Sequence, residues 1–243
     1  MREGRIQDRK IDTAHGTKGV TAIVPAAGLG KRLGPGSNKP FYPLLEKPIV
    51  VWTLEALERI SEIAEVIPVI KESDMETAIK IFEKCCFSKV KQIARGGKER
   101  QDSVYSGLKL VDKMTDIVLI HDGVRPFVEA RIVREAIIAI NAFDGAIAAV
   151  PLKDTIKEVA DDVVKRTLPR ESLWAIQTPQ VFRYDFLMRA YEGAMQEGVY
   201  STDDSALVER VGGKVKIIMG AYTNVKITTP EDISFAQFLL KKG

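Results

Sequence analysis

A glycine-rich loop with two cations, and a third just downstream, follows the first apolar segment of the chain, residues 21–24. The loop spans residues 26–34, and its notable residues, with the next cation downstream, are Gly28, Gly30, Lys31, Arg32 and Lys39. Glycines let backbone N–H groups approach phosphate oxygens, and the cations neutralise phosphate charge. The spacing matches neither a dinucleotide fingerprint nor a P-loop, because the third glycine is displaced and no GK[ST] occurs. The loop predicts phosphate binding; a plain loop with solvated lysines is the alternative.

A carboxylate follows the most apolar segment of the chain, residues 117–120. Asp122 comes directly after this predicted buried strand, and Arg125 follows three residues later. A carboxylate at the end of a buried strand is costly unless it is paired or bound to a metal. Asp122 is therefore a candidate Mg²⁺ ligand beside phosphates, and an ion pair with Arg125 is the alternative. His121, the only histidine after residue 18, is interpreted as a hydrogen-bonded support.

Three further segments carry polar groups that could face a ligand. Gly96 and Gly97 precede a polar helix start containing Arg100 and Ser103, where free N–H groups could bind an oxygen-rich ligand. Simple helix capping by Asp102 or Ser103 is equally compatible with that segment. Residues 177–180, Gln-Thr-Pro-Gln, indicate only a turn. Lys226 alternates with apolar neighbours on a predicted late strand, and the sequence leaves open whether it faces solvent or a site.

The elements that position these residues alternate between strand and helix. Strands are predicted at 21–24, 65–70, 90–94, 117–120, 146–150 and 214–219, and helices at 48–60, 74–84, 103–111, 130–142, 184–195, 204–211 and from 230. This order predicts an α/β fold with an open, mostly parallel sheet and helices on both faces. Residues 155–159 and 163–167 interrupt the order as a predicted β-hairpin, within an arm of about residues 151–172. An isolated hairpin is marginally stable, so we expect it to pack on something such as a partner subunit.

The composition excludes several classes of protein. The chain has 243 residues, 45% hydrophobic and 28% charged, which is typical of a globular protein. Residues 1–18 hold five basic and three acidic residues, so the remainder has a net charge near zero, which argues against a nucleic-acid-binding protein. No apolar run is long enough for a membrane span or a signal peptide, and Cys85 and Cys86 are expected to be free thiols in the cytoplasm. We predict a flexible tail at 1–18 and a single domain at 19–243.

Eight motifs in a fixed order resemble one enzyme family. In chain order they are AAGxGxR, a lysine seven residues after that arginine, GGxxRxDSV, HDxxRPF, PxxDT, RxxLWxxQTPQ, TDD and NxKxTxPED. Together they resemble the 2-C-methyl-D-erythritol 4-phosphate cytidylyltransferases of the non-mevalonate isoprenoid pathway. The resemblance extends from about residue 20 to residue 240, nearly the whole chain.

The resemblance implies a fold, a reaction and partners. It implies a nucleotide-diphosphosugar-transferase-like sheet whose projecting hairpin arm builds a homodimer. The reaction transfers CMP from CTP to the polyol phosphate 2-C-methyl-D-erythritol 4-phosphate, with Mg²⁺ or Mn²⁺ as cofactor. It yields 4-diphosphocytidyl-2-C-methyl-D-erythritol and pyrophosphate by in-line attack on the α-phosphorus.

The resemblance also implies roles for individual residues. Those that stabilise charge at the α-phosphate are Arg32, Lys39 and Lys226. Those that contact CTP are Ala26, Ala27, Gly28, Gly96, Gly97, Arg100 and Ser103. Those that bind the acceptor substrate are Asp122, Arg125, Thr155, Arg170 and Thr178, with Asp122 also near the metal and Thr155 and Arg170 reaching the neighbouring subunit's site.

The sequence departs from the family pattern in places, and two rival functions stay open. Thr223 occupies a position where the family commonly has an aspartate that helps hold the metal, which leaves Asp122 as the one expected carboxylate ligand. Pro40 stands where glutamine is usual, and Lys98 where an acidic residue is common. Ribitol-5-phosphate cytidylyltransferases share the CTP motifs and differ in the acceptor. A non-catalytic nucleotide-binding homologue is the second rival, which the presence of Arg32, Lys39 and Lys226 disfavours.

Overall fold

The computed structural model describes residues 19–28 and 38–242. The predicted tail at 1–18 and the cations Lys31 and Arg32 lie outside the described residues. In chain order the strands are β1 Val20–Pro25, β2 Pro43–Leu44, β3 Lys47–Pro48, β4 Ile63–Ile70, β5 Ala94–Arg95, β6 Ile117–Ile120, β7 Gly145–Pro151, β8 Ile156–Ala160, β9 Val163–Leu168, β10 Trp174–Arg183 and β11 Val215–Met219. The helices are α1 Ile49–Glu58, α2 Met75–Cys85, α3 Arg100–Leu108, α4 Ala130–Ala139, α5 Tyr184–Glu197, α6 Asp204–Arg210 and α7 Pro230–Lys242.

The described residues form a seven-stranded sheet in the order β11-β7-β10-β6-β1-β4-β5. The pairs β1–β4, β1–β6, β4–β5 and β7–β11 are parallel, whereas β10 pairs antiparallel with both β6 and β7. The prediction of an open, mostly parallel sheet is therefore confirmed. The short strands β2 and β3 form a separate pair, and so do β8 and β9.

Alternate residues of the central strands enter two different cores. Ala22 and Val24 of β1 pack in one cluster with side chains of α1, α2 and α4. Ile23, between them, packs in the other cluster with side chains of α3, α5 and α6. Because successive strand residues point to opposite faces, the two clusters lie on the two sides of the sheet. Helices cover both faces, as predicted.

Three parts of the sequence-based prediction need correction. The strand predicted at 90–94 is reduced to Ala94–Arg95, which pairs with only two residues of β4 at the sheet edge. Residues 225–228 form no strand, because the Ile227 N–H donates to Val124 O and its side chain packs in a small third core. The segment predicted as a turn, 177–180, lies inside β10, between two other strands.

The apolar pattern of the sequence did not reveal β10, because the centre of this strand is polar and contains a proline. Pro179 lies between Ile176 and Gln180, where the register with β7 shifts. A proline is tolerated at such an irregularity, since it removes no regular ladder hydrogen bond. Gln180 pairs with Ile120, the last residue of β6. Gln177 and Thr178, which precede Gln180 on the antiparallel strand β10, therefore lie beyond the end of β6.

The hairpin β8–β9 confirms the predicted arm strands. Its register pairs Ile156 with Leu168 and Ala160 with Val163, and Asp161 and Asp162 form the turn with positive φ. Three valines on it, Val159, Val163 and Val164, are exposed. Both cysteines are free. No helix among the described residues is both long and apolar enough to cross a membrane.

Candidate active site

The carboxyl ends of the parallel strands bring the predicted site residues together. Residues 26–28 follow β1, Gly96 follows β5, and Asp122 follows β6. The Ala26 N–H donates to Val69 O, which joins the end of β1 to the end of β4. Ligands of open α/β sheets bind beyond the carboxyl ends of the strands. The site therefore lies where the topology alone would place it.

Two cavities open at this edge. The glycine-loop cavity has about 450 Å³ and is lined by Pro25, Ala26, Ala27, Gly28, Lys39, Pro40, Gly97, Lys98, Glu99, Arg100, Ser103, Asp122, Val124, Lys226 and Thr228. The strand-end cavity has about 630 Å³ and lies over β10 and the start of α6. Its polar lining residues include Arg125, Gln177, Thr178, Gln180, Asp203 and Glu209. Arg100, Asp122 and Lys226 line both cavities.

Asp122 is the centre of the charges at this junction. Its Oδ2 lies 3.0 Å from Lys226 Nζ and 3.2 Å from Arg125 Nε, and its Oδ1 lies 3.6 Å from Arg100 Nε. Burial raises the pKa of the Asp122 carboxyl, but the three cations outweigh burial and hold the pKa well below its usual range. Asp122 is therefore ionised. It forms the ion pair with Arg125 and also borders both cavities.

Lys226 points into the site, which settles the orientation that the sequence left open. The irregular segment before α7 carries it, and this segment is anchored by Asp232, whose Oδ2 accepts from Thr228 N, Thr228 Oγ1 and Thr229 N. On the other side, Arg125 Nη1 donates to Asn224 O at 2.7 Å. The lysine is thus fixed between two anchored points.

Arg100 forms an ion pair with a buried acid that the sequence did not predict. Its Nη1 and Nη2 donate to the two carboxylate oxygens of Asp204 at 3.0 and 2.6 Å, and the Tyr191 hydroxyl also donates to Asp204. Burial lowers the pKa of Arg100, but Asp204 and Asp122 together outweigh burial and hold the pKa above its usual range. Asp204 belongs to the TDD motif, but nothing in the sequence showed that it contacts Arg100, 104 residues away.

The glycine pair before α3 is required by close packing. A Cβ on Gly96 would lie 2.4 Å from Ala27 Cβ, and one on Gly97 would lie 2.3 Å from Asp102 Cβ. The Gly97 N–H donates to Ser103 Oγ, which itself donates to Glu99 O, and Asp102 accepts from the Glu99 N–H. This segment therefore both caps helix α3 and borders the glycine-loop cavity. Gly96 itself packs against Ala27, and its N–H donates to Ile70 O.

Two predicted residues lie away from the cavities of their own chain. Thr155 is exposed at the start of the hairpin, and Arg170 is exposed in a short 3₁₀ helix, Arg170–Ser172, after it. Arg170 Nη1 donates to Lys153 O at 2.8 Å. Of the described residues predicted for CTP and the acceptor, all but Gly96, Thr155 and Arg170 line one or both cavities. Arg32 lies outside the described residues.

The residues at the junction fit a metal ion only if a substrate supplies most of its ligands. Within residues 19–28 and 38–242, no group of three or more His, Cys, Asp or Glu side chains could hold a metal ion. Asp122 is one carboxylate, already balanced by cations, and Thr223 is exposed. Mg²⁺ commonly binds through one or two carboxylates together with substrate phosphates and water. This donor set fits that mode of binding.

Comparisons with known proteins agree with one another. A family model described as IspD, 2-C-methyl-D-erythritol 4-phosphate cytidylyltransferase, matches residues 20–242. A protein of that name from Geotalea uraniireducens is 45% identical over 91% of this chain and 97% of its own, and one from Clostridioides difficile is 46% identical over 90% and 93%. A crystal structure of 4-diphosphocytidyl-2C-methyl-D-erythritol synthase from Anaerococcus prevotii has a TM-score of 0.80 at 35% identity, covering 92% of this chain and 96% of that one. The chain therefore belongs to the 2-C-methyl-D-erythritol 4-phosphate cytidylyltransferase family.

Proposed function

We propose that the chain transfers CMP from CTP to 2-C-methyl-D-erythritol 4-phosphate, with release of pyrophosphate. The observation that carries the proposal is that two cavities meet at Arg100, Asp122 and Lys226. A transfer between two phosphorylated substrates needs two binding sites that meet where the phosphorus reacts, with positive charge at that point. Membership of the family supports the same reaction.

We assign CTP to the glycine-loop cavity and the acceptor to the strand-end cavity. The first is lined by Lys39, by Ala27 and Gly28, and by Ala26, whose N–H already donates to Val69 O. Backbone N–H groups and a lysine suit a triphosphate. The second presents Arg125 and Thr178 beside apolar residues of β7, β10 and β11, which suits a branched polyol phosphate.

In this reaction an oxygen of the acceptor phosphate attacks the α-phosphorus of CTP in line. The new P–O bond forms as the bond to pyrophosphate breaks, and the leaving group keeps the electron pair. The acceptor phosphate is already ionised, so the protein needs no general base. Catalysis then consists of positioning and charge stabilisation, which we assign to Lys39 and Lys226 and, outside the described residues, to Arg32. Asp122 orients Lys226 and balances Arg100 and Arg125.

We propose Mg²⁺ as the cofactor, held by Asp122 together with phosphate oxygens of CTP. Bound there, the ion would neutralise charge on the phosphates. Mn²⁺ has the same preference for oxygen ligands and is the alternative. Because Asp122 is the one carboxylate among the described residues that borders both cavities, metal binding should require the nucleotide.

We propose a homodimer formed through the hairpin, in the cytoplasm. Thr155 and Arg170 are exposed and border neither cavity of their own chain, so they can serve the acceptor only in a partner subunit. The exposed valines of the hairpin offer an apolar contact surface. The free thiols Cys85 and Cys86 support a reducing compartment.

The test is pyrophosphate release from CTP and Mg²⁺ with two acceptors, methylerythritol phosphate and ribitol phosphate. We expect release with the first only, and a loss of about 10²-fold or more in Lys39→Ala, because one charge-stabilising donor is worth that much. Lys80→Ala is the matched control, since Lys80 is exposed and pairs with Glu76 on the surface of α2, away from both cavities. Release with ribitol phosphate would assign the chain to a different acceptor. No release with either would contradict the proposed transfer.

A further inference from the structure

The one histidine among the described residues is buried in the site and uses both ring nitrogens. His121 has no solvent exposure. Its Nε2 lies 2.9 Å from Arg125 O, and its Nδ1 lies 3.1 Å from Thr178 Oγ1. The assigned chemistry makes no use of this side chain. Its two contacts, however, determine where the protons of its neighbours lie.

The contacts select one tautomer of His121. A backbone carbonyl only accepts hydrogen bonds, so Nε2 must carry a proton and donate it to Arg125 O. The ring has no solvent exposure and both of its nitrogens contact uncharged groups, so a charge on it would be buried and unpaired, and the ring is therefore neutral. A neutral ring carries one N–H, and Nδ1 is therefore an acceptor. The Thr178 hydroxyl must donate to it.

The same hydroxyl oxygen accepts a second hydrogen bond. The Asp122 N–H donates to Thr178 Oγ1 at 3.0 Å. A hydroxyl has one proton and two lone pairs. His121 takes the proton and Asp122 takes one lone pair, so the second lone pair is what Oγ1 can offer to a ligand. Thr178 borders the strand-end cavity, where such a ligand would lie.

We propose that His121 is a positioning residue that turns Thr178 Oγ1 into an obligate acceptor, which receives a hydrogen bond from a hydroxyl group of the acceptor substrate. The inference rests on the proposed function for the identity of that substrate. It assigns the polarity of one contact: Thr178 binds an O–H of the polyol and cannot donate to a phosphate oxygen. The phosphate must then lie nearer the cations, with the polyol chain toward β10.

The histidine tautomer can be measured without any substrate. The chain has two histidines, His15 and His121, so ¹⁵N correlation spectra of the histidine rings at pH 7 contain two sets of signals. His15→Gln identifies the set of His121. We expect a protonated Nε2 and an unprotonated Nδ1 in His121. A proton on Nδ1 would overturn the proposal, whatever reaction the protein performs.

The polarity of Thr178 can be measured with substrate analogues in which each hydroxyl of methylerythritol phosphate is replaced in turn by hydrogen or by fluorine. Fluorine keeps a weak acceptor but removes the donor. At one position we expect both analogues to raise the acceptor KM of the wild-type protein by about threefold to tenfold, the usual range for one neutral hydrogen bond. Thr178→Val should lose this discrimination, and Thr178→Ser should keep it.

A fluorinated analogue that binds like the parent where the deoxy analogue does not would overturn the proposal, because Thr178 would then be a donor. Equal binding of all the analogues would also overturn it.

Two substitutions at His121 separate positioning from a merely structural role. In His121→Asn the side-chain oxygen can still accept from Thr178, whereas His121→Leu keeps the bulk and removes the acceptor. We expect His121→Leu to raise the acceptor KM by about tenfold and to abolish the discrimination between analogues, with the CTP KM changed by less than about twofold. His121→Asn should retain the discrimination. Equal loss of both KM values and of thermal stability in the two variants would indicate packing alone and refute the positioning role.

Discussion

Replacing Asp204 by asparagine should destabilise the protein strongly, because it removes the charge that balances Arg100. Asp204 has no solvent exposure and accepts hydrogen bonds from both terminal nitrogens of Arg100 and from the Tyr191 hydroxyl. Asparagine has nearly the same volume but only one acceptor oxygen. In either orientation its amide NH₂ group would face a guanidinium nitrogen of Arg100, a donor against a donor.

The expected cost follows from how far the pair is buried. Removing one partner of a fully buried ion pair costs about 3–5 kcal/mol. The Arg100 side chain is 28% exposed and keeps Asp122 at 3.6 Å, so water and the second acid recover part of this cost. We therefore expect Asp204→Asn to lower the free energy of unfolding by about 3 kcal/mol. Tyr191→Phe, which removes one neutral donor, should cost about 1 kcal/mol.

Urea unfolding at pH 7, followed by circular dichroism, measures these differences. Asp185→Asn is the matched control, because Asp185 makes a 3.7 Å pair with Arg189 in which both side chains are more than two-thirds exposed. It should change the free energy of unfolding by less than about 1 kcal/mol. A similarly small loss in Asp204→Asn would refute the reasoning, because Arg100 would then not depend on its buried partner. The variant should also raise the KM for CTP, since Arg100 lines both cavities.

Three further predictions concern the same edge of the sheet. Lys226→Ala should lower kcat by about 10²-fold with a folded circular-dichroism spectrum, since it removes the cation 3.0 Å from Asp122 at the junction; a loss under about fivefold would contradict its role. Gly97→Ala should lower the free energy of unfolding by about 1–3 kcal/mol, and with it the urea midpoint, because the new Cβ would lie 2.3 Å from that of Asp102. An unchanged midpoint would show that the segment before α3 adapts freely. Asp232→Asn should destabilise the protein more at pH 6 than at pH 3: burial raises the pKa of Asp232, yet hydrogen bonds from the loop lower it further, so the stabilisation is fully present above the unfolded pKa of about 3.9 and is lost progressively as the pH falls toward and through the lower folded value. A pH-independent difference in urea midpoint would refute that assignment.

The strand–helix order and the apolar segments were sufficient to predict the class of the fold. The apolar segments located β1, β4, β6 and β7 because most of their side chains are apolar and buried. The sequence also located β11, although this strand lies at the sheet edge with Lys216 and Met219 exposed. The same criterion failed for β10, whose central residues are polar and serve the cavity rather than the core. Local pattern also placed Lys226 on a strand, whereas a long-range hydrogen bond from Ile227 to Val124 holds it in a loop.

The predicted site residues were largely brought together, because most follow parallel strands that end at one edge. The sequence did not predict which groups each charged side chain pairs with. The pairs Arg100–Asp204 and Asp122–Lys226 join residues 104 positions apart in each case, and such pairings depend on the packing of helices and loops. His121 was interpreted as a hydrogen-bonded support, and the structure names its two partners.

The sequence by itself determined the fold class, the family and the residue types that phosphate chemistry requires, because motifs and periodicity are local properties of the chain. Only the tertiary structure decided that Arg100, Asp122 and Lys226 form one junction between two cavities, and that Thr155 and Arg170 lie away from it. The physical reason is that burial and charge pairing depend on distances between residues far apart in the chain. Those distances fix the ionisation of Asp122 and the orientation of Lys226, and they give His121 its two hydrogen-bond partners.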